Sequence, residues 1–90
     1  MCTYNTESLS IAGNAKSGER WGAVASASVY FDHPVAFPAT HSLNIDFFHV
    51  AEDGSSTRRA ALELSPRSAR VLALAILEML DASPPALLEE

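Results

Sequence analysis

A single cysteine, Cys2, leaves this 90-residue chain without an internal disulfide, and such usage fits a reducing compartment. Basic residues are scarce: six lysines and arginines stand against eleven acids, for a formal charge of −5. A nucleic-acid-binding face is basic, so DNA and RNA are not expected partners. No apolar run approaches the ~18 residues of a membrane span. The opening MCTYNTESLSIAG has no basic segment leading into an apolar one, so no signal peptide is expected. Together these absences point to a cytoplasmic protein that avoids membranes. The four glycines form no phosphate-cradling run. Ninety residues allow one domain, and a chain this short buries only a modest fraction of its surface. With no disulfide, a metal or a partner subunit is left to add stability.

Alternation with a period of two marks four strands. In residues 8–16, Leu9, Ile11, Gly13 and Ala15 share one face, with Ala12 as the exception. SGERWG follows as a loop. In residues 22–33, Ala23, Ala25, Ala27, Val29, Phe31 and His33 share a face, and Val24, Ser26, Ser28, Tyr30 and Asp32 the other. PVAFPAT contains two prolines, which break the ladder and make a loop. In residues 41–50, His41, Leu43, Ile45, Phe47 and His49 point one way, and Ser42, Asn44, Asp46, Phe48 and Val50 the other. Asp53-Gly54 centres a hairpin turn. Residues 58–64 form a fourth strand with Ala60, Leu62 and Leu64 inward and Arg59, Ala61 and Glu63 outward. Short connections favour an antiparallel meander.

The period then changes. Ser65 is placed to cap a helix and Pro66 to open it, and the pattern predicts a helix from Pro66 to about Leu80. Ala69, Leu72, Ala73, Ile76, Met79 and Leu80 form a stripe at helical spacing that should cover the alanine-rich sheet face. Val71, Leu74 and Leu77 fall off that stripe. With Phe48 and Val50 on the outer sheet face, they point to a homodimer or higher homo-oligomer. The fold expected is α+β: a four-stranded antiparallel meander with one C-terminal helix on one face, a single domain over residues 1–81. Residues 82–90 form a tail, with Leu87 and Leu88 as its anchors.

All three histidines lie between residues 33 and 49. If the second and third strands pair across the proline loop, His33 and His41 stand at one rim of the sheet, on one side. Cβ atoms of directly opposed residues lie about 4.5–5.5 Å apart, close enough for two imidazoles to share a ligand or a metal. His49 ends its strand about 26 Å from His41 at ~3.3 Å per residue, so it cannot join them within one subunit. An imidazole titrating near neutral pH suits acid–base catalysis by His33 or His41. A histidine at a strand end also commonly bonds a loop carbonyl with no chemical role.

Holding zinc or copper needs a third ligand. Asp32 and Asp46 point to the opposite face, which leaves Cys2. If Met1 were removed, Cys2 would also present an amine beside a thiol, a possible N-terminal nucleophile. Trp21 and Tyr30 can wall a pocket or pack a subunit contact, and Asp32 and Asp46 can bind ligand or face solvent. Arg58, Arg59, Arg67 and Arg70 offer a carboxylate clamp or plain surface charge.

Met1-Cys2-Thr3-Tyr4, Val29-Tyr30-Phe31-Asp32-His33-Pro34, and His41 with Leu43-Asn44-Ile45-Asp46-Phe47 are motifs through which the chain resembles a family of short bacterial proteins known only as a domain of unknown function. The resemblance runs from the first strand through the helix and stops before the tail at Ala82. It implies no catalytic or binding residue, and it draws attention to Cys2, Asp32, His33, His41 and Asp46.

Three functions fit. The first is small-molecule binding at a rim pocket, extending to cofactor-free acid–base catalysis by His33 or His41, with Tyr30, Trp21, Asp32 and Asp46 binding. The second is a metal-binding module using His33, His41 and Cys2. The third is a non-catalytic interaction protein that engages a partner through the outer helix face.

Overall fold

The computed structural model describes residues 5–89. Strands β1 (Thr6–Ser17), β2 (Arg20–Asp32), β3 (Ser42–Val50) and β4 (Ser56–Leu64) form one antiparallel sheet in chain order. Helix α1 (Pro66–Ala82) and a 3-10 turn (Pro85–Leu88) follow. The expected ββββα order is the observed one.

The turns are set by local chemistry. β1 and β2 join through Gly18 and Glu19 alone, a tighter link than the loop expected over SGERWG. Gly18 has φ 61° at the first central position, where a type II′ hairpin turn calls for glycine. Between β3 and β4, the Asp53 carboxylate accepts the hydroxyl of Ser55 at 2.7 Å and its N–H at 2.9 Å. These bonds hold the Asp53 carboxyl below its ordinary value. Gly54 closes the turn with φ 88°.

Two bulges alter the faces read from the sequence. Leu9 lies opposite Ala27, but Gly13 lies opposite Val24 and Ala15 opposite Gly22. The register slips between Ser10 and Gly13, so Gly13 and Ala15 fall on the face opposite Leu9. The extra residue of a bulge inverts the alternation beyond it, which accounts for Ala12 as the exception. In β4, Phe47 opposes Ala60 and Phe48 opposes Arg58. The intervening Arg59 is the bulged residue, and Arg58 and Arg59 share one face.

The side chain of Ser65 accepts the N–H of Ser68 at 3.1 Å, and Pro66 opens the helix. At the other end, Ser83 donates its hydroxyl to the Met79 carbonyl at 2.8 Å. The helix thus runs two residues past Leu80, to Ala82, into the segment expected to be tail. Within the chain, Leu87 and Leu88 are exposed.

α1 begins one residue after β4, at the sheet's edge, so it lies along β3 and β4 and does not cover the alanines of β2. Ala23 and Ala25 are exposed and only Ala27 is buried. An apolar cleft of about 480 Å³ separates helix from sheet, lined by Val29, Phe31, Leu43 and Ile45 below and Leu72 and Ile76 above. The opposite face is better enclosed: Val24, Ser42 and Asn44 are buried on it.

The chain exposes 7054 Å², against about 5,100 Å² for a folded monomer of its mass. Its radius of gyration is 14.8 Å, against about 12 Å for a compact domain of this length. Among the described residues, the buried apolar side chains are Val24 and Ala27. Among the described residues, no helix is long and apolar enough to cross a membrane.

Candidate functional site

The site lies at the end of the sheet where β2 passes into the proline loop and returns as β3. Ladder pairing ends at Asp32 and Ser42, so His33 and His41 stand just past it, one on each side of the loop. Their ring centroids are 4.6 Å apart and the planes are tilted by 32°. The expected histidine pair is therefore formed. His41 also stacks on Phe31, with centroids 5.7 Å apart and planes 7° from parallel, and so faces the apolar side.

His33 behaves differently because it lies beyond the ladder, where alternation no longer fixes direction. The residue lines a cavity of about 870 Å³ on the other face, together with Asp32 and Asp46. Both aspartates were expected to point away from it. His33 Nδ1 lies 2.9 Å from the Thr40 carbonyl oxygen, the loop-carbonyl bond that a strand-end histidine commonly makes. A carbonyl only accepts, so Nδ1 carries the proton and Nε2 of the neutral ring keeps its lone pair. The Asp32 carboxylate accepts the His33 N–H at 2.7 Å and fixes the backbone at the turn.

The cavity floor comes from the outer face of β2, β3 and β4. Tyr30 donates its hydroxyl to Asp46 Oδ2 at 2.9 Å. Arg58 Nη1 stands 3.6 Å from Asp46 Oδ1. Burial, then the bond to Asp46 and that carboxylate's charge, push the Tyr30 phenol above its ordinary value. Beside them, buried Ser42 donates to buried Asn44 Oδ1 at 2.6 Å. Pairing of this kind is what buried polar groups require.

The wall comes from the proline loop, and a residue that periodicity had marked only as outward holds it there. The Glu63 carboxylate accepts the N–H groups of Val35, Ala36 and Phe37, the last two at 2.9 and 2.8 Å. These three donors hold the Glu63 carboxyl below its ordinary value. Successive N–H groups converging on one oxyanion form an anion-binding nest, filled here by the chain's own carboxylate. The register sets Glu63 opposite Asn44 and Ala61 opposite Asp46. A polar patch running through Tyr30, Asp32, Asn44, Asp46 and Glu63 was thus readable once the strands were paired.

Of the expected site residues, the structure gathers His33, Tyr30, Asp32 and Asp46 at one cavity and places His41 against His33. Trp21 does not line this cavity. It sits at the far end of β2, about 40 Å from His33 at ~3.3 Å per residue. His49 closes the opposite end of β3, and its Nδ1 is buried without a partner. Asn44 and Glu63 are cavity residues that the sequence reading missed, and Arg58, read as part of a carboxylate clamp or as plain surface charge, lines the cavity too. Cys2, the expected third metal ligand, lies outside the described residues. Among the described residues no three histidine, cysteine or acidic side chains are grouped to hold a metal ion.

No curated protein and no solved structure matches the chain. A family model described as a family of unknown function, DUF6295, matches residues 1–89, tail included, and the chain belongs to that family.

Proposed function

We propose that this protein binds a small molecule in the cavity beneath the proline loop, as a homo-oligomer, with His33 as its acid–base group. One observation carries the reading: His33 lines the cavity while a loop carbonyl holds its Nδ1, which leaves the lone pair of the neutral ring on Nε2. A base must be held in orientation and still present a lone pair. Tyr30, Asp46, Arg58 and Asn44 supply convergent polar groups, and Phe37 supplies an apolar wall. A few placed polar groups in a concave site are what small-molecule recognition uses. His41 supports His33 from behind as a positioning residue. The unburied apolar surface and the open cleft under α1 support the homo-oligomeric part.

The test is a nuclear magnetic resonance screen of small organic acids, amines and polyols against labelled protein. Hits should shift His33, Tyr30 and Asp46, and replacing both His33 and His41 by alanine should weaken them at least tenfold. Hits that bind the double variant unchanged would remove the histidines from the site.

The 4.6 Å separation of the two rings also supports a metal-binding module, with His33 and His41 as two ligands and Cys2 as the third. Elemental analysis of protein purified without a histidine tag separates the two readings: stoichiometric zinc or copper favours the metal, and substoichiometric metal ends it.

A further inference from the structure

We infer that two copies of this chain pair through the outer face of α1, antiparallel, about a two-fold axis at Leu74. The inference rests on the homo-oligomeric part of the functional reading and assigns it a surface and a symmetry.

α1 has two apolar faces. Ala69, Leu72, Ala73 and Ile76 line the cleft toward the sheet, and Arg70, at the border of the two faces, reaches it as well. On the opposite side, Val71, Leu74 and Leu77 are 57–62% exposed. At about 100° per residue, Arg67, Arg70, Val71, Leu74, Leu77, Glu78 and Asp81 fall within one arc of about 120°, a complete face. Its order is basic, apolar, acidic, and it is symmetric about position 74. Rotating a second helix about Leu74 sets Leu74 against the partner's Leu74 and brings the basic end, Arg67 and Arg70, level with the partner's acidic end, with Arg67 nearest the partner's Asp81. A two-fold contact demands this kind of self-complementarity, in which residue i meets j and j meets i.

The charges are arranged against the helix that bears them. The first turn has no acid and the last no base, whereas the macrodipole favours the reverse. Among the described residues, none of the four charged side chains has an ion-pair partner within its own chain. Their placement costs the lone helix stability and serves an antiparallel pair. The face is open, with Val71, Leu74 and Leu77 each more than half exposed, on a chain that as a whole exposes roughly 2,000 Å² more than a monomer of its mass should.

Sedimentation velocity on the full chain tests the pairing. The protein should be dimeric at tens of micromolar. One variant, Arg67→Glu with Arg70→Glu, makes the face wholly acidic, and another, Glu78→Arg with Asp81→Arg, makes it wholly basic. Each improves the match of charge to its own helix dipole, so circular dichroism should show the fold intact. Each alone should dissociate at least tenfold more readily, and an equimolar mixture should recover a heterodimer. Leu74→Glu should abolish the dimer. A dimer indifferent to both charge variants and to mixing would overturn this face while leaving the homo-oligomer standing. A monomer throughout would overturn both.

Discussion

The Glu63 carboxylate and the Ala36 N–H meet at 2.9 Å across 27 residues of chain, and that contact joins the proline loop to the far edge of the cavity. The same carboxylate also serves Val35 and Phe37, so one side chain satisfies three successive loop donors. Glu63→Gln keeps the shape but loses the charge that makes such bonds strong. The amides of Val35, Ala36 and Phe37 should then exchange with deuterium at least tenfold faster, while β1 amides keep their rates. Uniform acceleration across the sheet would mean that Glu63 supports the whole fold and not the loop in particular.

The same contact has a pH signature. The folded Glu63 carboxyl lies below its ordinary value because of the three backbone donors. Its stabilising effect is therefore present above the unfolded value and fades as pH falls through the folded one. Loop protection should hold near neutrality, decline only in acid below the usual glutamate range, and show no such decline in Glu63→Gln. Exchange at the three loop amides, measured as a pH series, checks both.

Tyr30 titrates in the other direction. Burial and the Asp46 carboxylate raise the phenol, so any stability linked to the neutral form is complete below the unfolded value and is lost as pH rises through the folded one. Ultraviolet titration should show one tyrosine ionising later than an ordinary phenol. Asp46→Asn removes the charge and the charged acceptor together, and should bring that late step down toward the usual range. If it does not move, burial alone accounts for it.

Ser65 tests how far α1 depends on its own cap. Its side chain satisfies the Ser68 N–H, and replacing a capping serine by alanine costs about 1 kcal/mol. Ser65→Ala should lower the stability read by urea denaturation by roughly that amount. In the paired helix inferred above, the loss should appear also as weaker association, because a frayed first turn misplaces Arg67.

Much of this fold was legible because it rests on periodicity. The switch from period two at Leu64 to helical spacing after Pro66 was visible in the sequence, and so was the return of the chain through PVAFPAT that brings His33 to His41. The bulges were not. Ala12 and Arg59 each add one residue to a strand, and a single added residue inverts every face beyond it. The better-enclosed face was missed for a related reason: Ser42, Asn44 and Glu63 read as solvent-facing until the proline loop folds over them, and a bond across 27 residues leaves no local signal. Trp21 read equally as a pocket wall or a subunit contact, and eleven residues of extended strand keep it from being a wall of this cavity.

The Arg59 bulge yields the sharpest prediction about packing. Its guanidinium lies over Gly22, and a Cβ built on that glycine would stand 2.3 Å from Nη1 and 2.5 Å from Cζ. Arg59 Nε is buried and unbonded, so the side chain is held there by close packing and not by a partner at that nitrogen. Gly22→Ala must displace the guanidinium, and overpacking of this kind costs about 1–3 kcal/mol. Arg59→Ala removes the obstacle. In that background Gly22→Ala should be nearly neutral, because alanine carries less backbone entropy into the unfolded chain than glycine. Four urea titrations close the cycle, with a coupling on the order of 1 kcal/mol expected between residues in direct contact. Additive losses would show that Gly22 is required by its strand and not by the arginine above it.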